Sequence, residues 1–522
     1  MSSRRCYPEI HIPCEFHIDS GYNLRMTNLP NTPIKGTSDW FPEEFRIRKY
    51  IFDNWRKVCT SFGYEEYMTP IVENVEVYKA KSGDEVGGVE LWTIEREDET
   101  YAIRPEMTPS VTRMVTRFYD SSPKPIRLFS IANFMRFQKP QRGRNREFWQ
   151  LNFDIFGSEK IEADFEVLEM ALEIMKSFNP PAGSFTMFVN DRVLIDYILS
   201  TECGIAEELR KEVVRLMDKS AKLSREDFGK ALLEVGVTDN GVNALMDFLS
   251  ISEGEKLVER FPAIADNLGF VRIMKILETL NLKGYGEWVK FQPNIIRGFD
   301  YYDGMVFEVF DNHPENNRSL FGGGRYNGLA GIFGSKSFPA VGCAPGDETL
   351  KLFLESWNLL GNVKKEETYY LPRFAGVSEE AFSNLARKLR TENRSLITGL
   401  EETGLMKSFE YGEKRGIDFL VIFGEEESAK GIYKIRNMRT REENEYNITL
   451  QEKLIQEAIR LVVSFNKASS SFLANKMNIN FNKAAELIED LARMGVISPS
   501  NGSNPRVVLV QDAELFIRGL KV

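Results

Sequence analysis

Five cations crowd into eleven residues of an acidic chain. Arg136, Lys139, Arg142, Arg144 and Arg146 lie between positions 136 and 146, while the whole protein carries a net charge of −10. Pro140 and Gly143 make a helix there unfavourable. The flanks are apolar before the loop, FSIANFM, and alternating in polarity after it, FWQLNFDIFG. An apolar run and an alternating run on either side of a polar loop predict an antiparallel strand pair over 126–157. Guanidinium groups offer planar bidentate donors, which suit polyphosphate and nucleic-acid backbones. A solvated, charged hairpin tip is the competing reading.

The rest of the chain supplies the partners of such a pair. Residues 1–33 carry four prolines and no sustained period, and read as an N-terminal extension; Met26 could serve as an internal start. Ile47, Tyr50, Ile51, Trp55, Val58, Cys59 and Phe62 recur at helical spacing over 44–62. ETYAIRPEMTPSVTRMVTRF at 99–118 predicts a strand to Ile103, a turn at Pro105 and a helix from Thr108 or Pro109. An amphipathic helix follows at 160–178, then a helical insertion over about 200–288. Strands return at 287–310, and GGGRYNGL at 322–329 opens a predicted glycine-rich turn over 322–334. Composition turns polar at 358–368. Beyond it, helix 378–391, strand 419–424 and helix 451–463 make a small α/β unit. Helices at 468–477 and 481–494 and the strand RVVLV then read as a winged helix over 466–522.

Counting excludes several kinds of chemistry. With three histidines (His11, His17, His313) and five scattered cysteines, neither a His-based triad nor a zinc site of His and Cys is expected. The cysteines fit a reducing, cytoplasmic setting. No apolar run reaches about 18 residues, so no spanning helix is expected, and the N-terminus lacks the apolar core of a secretory signal. There is neither a GxxxxGK[ST] loop nor a strand-linked GxGxxG.

Several polar residues stand out. Gln150, Asn152 and Asp154 share one strand face opposite Leu151, Phe153 and Ile155, as either a substrate floor or a solvated sheet face. Arg297 in IIRGFDYYDG is either a ligand-directed cation or the partner of Asp300. Tyr301 and Tyr302 should point to opposite faces of a strand, one into the core and one offering its hydroxyl. Glu106 and Thr108 complete the set.

RPEMTPS at 104–110, RFQKPQRGRNREFWQLNFDIFG at 136–157, IRGFDYY at 296–302 and GGGRYNGL at 322–329 resemble, in order, the motifs of the histidyl-tRNA synthetase family of class II aminoacyl-tRNA synthetases. The helix 46–62 with Pro70 looks like motif 1, and PAVGCAPGDETL at 339–350 like motif 3. The resemblance implies an α/β (α+β) fold. Its parts would be an antiparallel sheet flanked by helices in a catalytic domain at 34–357, and an α/β anticodon-binding domain at 365–463. It further implies that Arg136 and Arg297 are catalytic and grip the α-phosphate of ATP. Glu106, Met107, Thr108, Gln150, Asp154, Tyr301, Tyr302 and Tyr326 would bind histidine, with Asp154 and Tyr302 on the imidazole nitrogens. Arg142, Arg144, Arg146 and Arg325 would join Arg136 in binding ATP or tRNA. L-Histidine, ATP with Mg²⁺ and tRNA(His) are the implied substrates and cofactor, and a homodimer through helix 46–62 the implied assembly. A catalytically inactive paralogue that senses histidine or tRNA is the alternative. Three positions depart from the pattern: Thr349 where motif 3 often ends in arginine, Gln138 for glutamate and Asn327 for aspartate. The first leaves open a γ-phosphate contact from loop 139–146. The last unit resembles the winged-helix γ domain of bacterial DNA translocases; a generic helical appendage is the other reading.

Overall fold

The strands flanking the basic loop pair across an antiparallel ladder, with Phe129 opposite Phe153 and Ile131 opposite Leu151. The computed structural model describes residues 30–80, 85–220, 223–296, 301–316, 318–363, 365–500 and 506–519. It divides into two compact units, Met1–Val363 and Lys364–Val522.

The first unit opens on α1 (Pro42–Ser61), which has Pro42 in its first turn and Glu43 and Glu44 beside it, where the helix dipole favours acid. Strand β1 (Glu65–Glu66) follows. A small antiparallel sheet holds β2 (Val72–Asn74), β3 (Trp92–Arg96) and β4 (Glu99–Ile103), with α2 (Glu76–Lys79) between β2 and β3. Helix α3 (Thr108–Thr116) leads to β5 (Ile126–Met135) and β6 (Glu147–Phe156), whose register runs from Ile126 opposite Phe156 to Met135 opposite Glu147. After α4 (Ile161–Lys176), β7 (Phe185–Asp191) and α5 (Arg192–Tyr197), the insertion is helical as expected. It comprises α6 (Glu207–Lys219), α7 (Arg225–Val235), α8 (Asp239–Ser250), α9 (Gly254–Arg260) and α10 (Leu268–Leu282). Strands β8 (Val289–Phe291), β9 (Met305–Asp311), β10 (Ser319–Arg325) and β11 (Ala340–Cys343) and helix α11 (Asp347–Ser356) close the unit.

Eight strands form the main sheet in the order β1-β5-β6-β11-β10-β9-β7-β8. Its interior pairs are antiparallel, and each edge strand is parallel to its neighbour. One face carries the larger core, where Ile51 and Trp55 of α1 join Leu151, Phe153 and Ile155 of β6 and the apolar faces of α4 and the insertion. The apolar stripe of α1 is therefore largely consumed within its own chain. The other face packs Met107 and Val111 with Phe134, Tyr326 and Phe338.

The glycine-rich segment differs from expectation. Gly322, Gly323 and Gly324 form no turn; they are buried inside β10, between β9 and β11. A methyl on Gly324 would come within 2.6 Å of the Met305 carbonyl and 2.9 Å of the Tyr302 ring. These glycines serve close approach inside a sheet rather than chain reversal.

The second unit contains β12 (Thr368–Arg373), α12 (Glu379–Thr391), β13 (Ser395–Glu402), α13 (Leu405–Arg415), β14 (Phe419–Ile422), α14 (Glu425–Lys430), β15 (Ile432–Asn437) and β16 (Glu443–Asn447). Their sheet order is β13-β12-β14-β15-β16. Next come α15 (Ile448–Phe465), α16 (Ser470–Met477), α17 (Phe481–Arg493) and α18 (Ala513–Gly519). Ile455, Ala458, Ile459 and Val462 of α15 pack with Leu473, Leu487, Leu491 and Ile497, so α15 belongs to the core of the last helical cluster. In place of a regular final strand, isolated bridges join Ala468 to Arg506 and Ile497 to Val508.

Candidate active site

The second face of the main sheet is hollow where β6, β9, β10 and β11 meet the entries to α3 and α11. The cleft there has a volume of about 770 Å³. Its floor is the polar face of β6, with Gln150, Asn152 and Asp154 lining it. Strand alternation sends Leu151, Phe153 and Ile155 into the core behind. The two readings of this face thus resolve toward a cleft floor, with Asn152 and Asp154 buried.

Glu106 and Thr108 reach the cleft from the turn into α3. Tyr301 donates to Glu106 Oε2 at 2.8 Å. Tyr326 donates to Asp154 Oδ1 at 2.5 Å. Tyr301 and Tyr302 do not straddle a strand. Both line the cleft, with ring centroids 4.8 Å apart, because the chain is irregular there. Arg136 also lines it; its Nε donates to the Pro105 carbonyl at 3.0 Å, and its guanidinium carbon lies 5.2 Å from the Phe148 ring centroid.

Other expected residues lie elsewhere. Met107 is fully buried under Thr69, whose hydroxyl approaches its sulfur at 3.2 Å; it packs behind the site instead of lining it. Arg325 is corrected most sharply. Its side chain is 6% exposed and paired with Asp164 at 2.9 Å, and it also donates to the Ser158 carbonyl at 2.9 Å. A buried cation needs such partners, and these hold it outside the cleft. Within the basic loop, Arg144 lines the cleft, bound to Gln138 Oε1 at 2.5 Å and to Glu90 at 3.3 Å. Arg146 instead donates to the carbonyls of Gln138 and Lys35, each at 3.1 Å, and fastens the loop to the segment before α1. Arg142 is exposed and does not line the cleft. Arg297 and Asp300 lie outside the described residues.

The structure adds Glu308, Arg318, Cys343, Asp347 and Glu348 to the cleft lining. Arg48 of α1, between the apolar positions of that helix, is 4% exposed. It pairs with Asp347 at 2.9 Å and also with Glu348. No sequence period links position 48 to position 347. Thr349 turns back on the backbone and donates to the Leu320 carbonyl at 2.7 Å.

Burial dominates the electrostatics. It pushes the Asp154 carboxyl up to about 7, while the Tyr326 hydroxyl pulls the other way. Burial raises Asp347 to about 6, with Glu348 adding to the rise and Arg48 opposing it. The Tyr301 phenol lies well above its ordinary value, first from burial and then from Glu106. Carboxylate acceptors at one end and arginines at the other make a site able to hold a small cationic or hydrogen-bonding head beside a polyphosphate. Among the described residues, no group of three or more His, Cys, Asp or Glu could hold a metal ion, and no helix is long and apolar enough to cross a membrane.

A histidyl-tRNA synthetase family model matches residues 36–350, an anticodon-binding-domain model residues 370–458, and an FtsK γ-domain model residues 449–511. A histidine–tRNA ligase of Leptospira biflexa is 35% identical over 432 residues, covering 83% of this chain and 98% of the relative. One from Pyrococcus furiosus is 31% identical, covering 82% and 99%. Among solved structures, a histidyl-tRNA synthetase from Nostoc sp. PCC 7120 superposes with a TM-score of 0.67 at 22% identity, covering 81% of this chain and 99% of that one. An ATP phosphoribosyltransferase regulatory subunit/histidyl-tRNA synthetase from Bacillus halodurans superposes at 0.61 and 22% identity, covering 74% and 96%. These two likenesses concern the fold.

Proposed function

Because the chain belongs to the histidyl-tRNA synthetase family, we propose that its cleft joins L-histidine to the 3′ end of tRNA(His) through an adenylate. The observation that carries this reading is the Asp154–Tyr326 pair on the cleft floor, a few residues along β6 from Gln150. Imidazole has two nitrogen edges: Asp154, oriented by the Tyr326 hydroxyl, would accept from one, and Tyr302, also in the cleft lining, would face the other. Glu106, Thr108 and Gln150 would hold the α-amino group. Arg136 and, from its place in IRGFDYY, Arg297 would hold the α-phosphate.

The carboxylate of histidine then attacks the α-phosphorus in line. A new oxygen–phosphorus bond forms, and the bond to the bridging oxygen of pyrophosphate breaks. No general base is needed, because the attacking carboxylate is already ionised. Positioning and neutralisation of charge on the phosphate supply the acceleration. In the second step a ribose hydroxyl of the tRNA terminus attacks the carbonyl carbon, AMP departs, and the hydroxyl proton passes to the departing phosphate. The carboxylate of Glu308 on the cleft wall fits Mg²⁺ carried on substrate phosphates, since that ion commonly takes one or two carboxylates and keeps water. When bound it would neutralise phosphate charge. Cytoplasmic action and a homodimer belong to the same reading.

The test is ATP–pyrophosphate exchange across the amino acids. Exchange with histidine alone is expected. Absence of histidine-dependent exchange in the intact chain would overturn the reading in favour of a sensor of histidine or tRNA.

A further inference from the structure

Three arginines line the cleft among its described residues: Arg136, Arg144 and Arg318. Two have evident commitments. Arg144 is paired with Glu90 and held by Gln138. Arg136 donates to Pro105 and feels the carboxylate of Glu106. Arg318 differs, because among the described residues no carboxylate pairs with it. Its Nη1 donates to the Arg142 carbonyl, inside the basic loop.

Its position is built rather than incidental. Gly143, next in the loop, has φ +72°, and a methyl there would lie 2.7 Å from Arg318 Nη1 and 2.7 Å from Leu352 Cδ1. The loop therefore closes on this guanidinium only because residue 143 is glycine. Leu352 lies on α11, one turn beyond Thr349. Thr349 in turn bonds the carbonyl of Leu320, two residues along the chain from Arg318. The cation and Thr349 thus occupy adjoining places on the wall of the cleft, at the end where the basic loop folds over it.

Adenylate formation expels pyrophosphate, so negative charge must be held away from the α-phosphorus as the bond to it breaks. Asp347 and Glu348 on α11 are themselves neutralised by Arg48 and offer no cation there. We propose that Arg318 binds the β- and γ-phosphates of ATP and holds the departing pyrophosphate, the role for which α11 supplies only Thr349. The inference rests on the adenylate-forming reading above.

The test compares Arg318→Ala and Arg318→Lys with the intact chain. Charge-assisted hydrogen bonds of this kind are worth about 10–100-fold in affinity. The KM for ATP and for pyrophosphate in the exchange reaction should rise by about that factor, and lysine should recover part of it. The KM for histidine should stay unchanged. So should the Kd of a non-hydrolysable sulfamoyl histidyl-adenylate analogue, which has no β- or γ-phosphate. Gly143→Ala should reproduce the loss, since its methyl meets the guanidinium. Unchanged ATP affinity in Arg318→Ala would overturn the proposal; so would an equal loss for the analogue, which would mean that Arg318 only packs the loop. Calorimetry of ATP against AMP tests Arg318 independently of turnover. The wild type should prefer ATP, and Arg318→Ala should lose that preference. Failure of the wild type to exchange would count against the ligase reading and leave the calorimetric result standing.

Discussion

Asp154 carries the sharpest prediction at the scale of single residues. Its folded-state value of about 7 lies above the ordinary aspartate value near 3.9. Between those values the folded chain holds a proton that the unfolded chain has lost, so stability falls as pH rises from about 4 to about 7. Asp154→Asn carries no charge and still offers an acceptor to Tyr326. Its thermal stability relative to wild type should grow across that window and level off above pH 7, by at most about 4 kcal/mol. The same substitution should raise the histidine KM with near-normal ATP binding. A stability gain without a histidine defect would mark the residue as structural. Arg325→Ala is expected to behave in the opposite way. Asp164, held at about 6 mainly by burial, would lose the cation that offsets it. Chemical denaturation should show a loss of about 3–5 kcal/mol, while the ATP KM of the remaining folded enzyme stays unchanged. A raised ATP KM would return Arg325 to the binding site.

Strand β10 shows how an element can contradict its composition. Three glycines and an arginine ahead of Tyr326 read as a turn, yet they run through the interior of the sheet. The carbonyl of Gly342 crowds Gly323 on one side and that of Met305 crowds Gly324 on the other. Gly324→Ala should destabilise the first unit by about 1–3 kcal/mol through overpacking, read as a lower melting temperature. Because Tyr302 is among the atoms displaced, its histidine KM should rise as well. An alanine variant as stable as wild type would mean that β9 and β10 can separate at little cost. Glycine marks close approach as well as chain reversal, and one-dimensional spacing does not distinguish the two. Helices α1 and α4 were legible because their apolar periods run over 20 and 16 residues. Even so, α1 hides Arg48, whose burial depends on acids 299 and 300 positions away.

At the scale of the whole molecule, the fused C-terminal segment is tied into the second unit. Helix α17 exposes only Phe481, Asn482 and Glu489. Its Asp490 is buried against Arg394, and Lys483 lies 5.2 Å from the Tyr446 ring centroid. A chain ending at Phe465 would strip the cover from Ile455, Ala458, Ile459 and Val462 of α15. One ending at Asn447 removes that helix as well. The shorter chain is therefore expected to be the more soluble and to melt at the higher temperature, because an uncovered apolar face promotes association. Equal behaviour of the two truncations would show that α15 can bury its stripe elsewhere.

Periodicity and motif order alone were enough to read the antiparallel pair around the basic loop, the long amphipathic helices, the helical insertion and the family. Each depends on residues near one another in the chain, where a period of two or of 3.6 directly selects one face. The polar face of β6 could be read as a face, but only the strands packed beside it made it a floor. Tertiary structure alone decided which arginines meet the cleft. Arg136 and Arg144 turn toward it, Arg146 turns to the Lys35 carbonyl, and Arg325 is drawn to Asp164, 161 positions away. Arg318, which carried no signal in the sequence, stands at the cleft wall. The reason is physical: a guanidinium goes where desolvation is offset by partners, and those partners are brought together by the fold rather than by spacing along the chain.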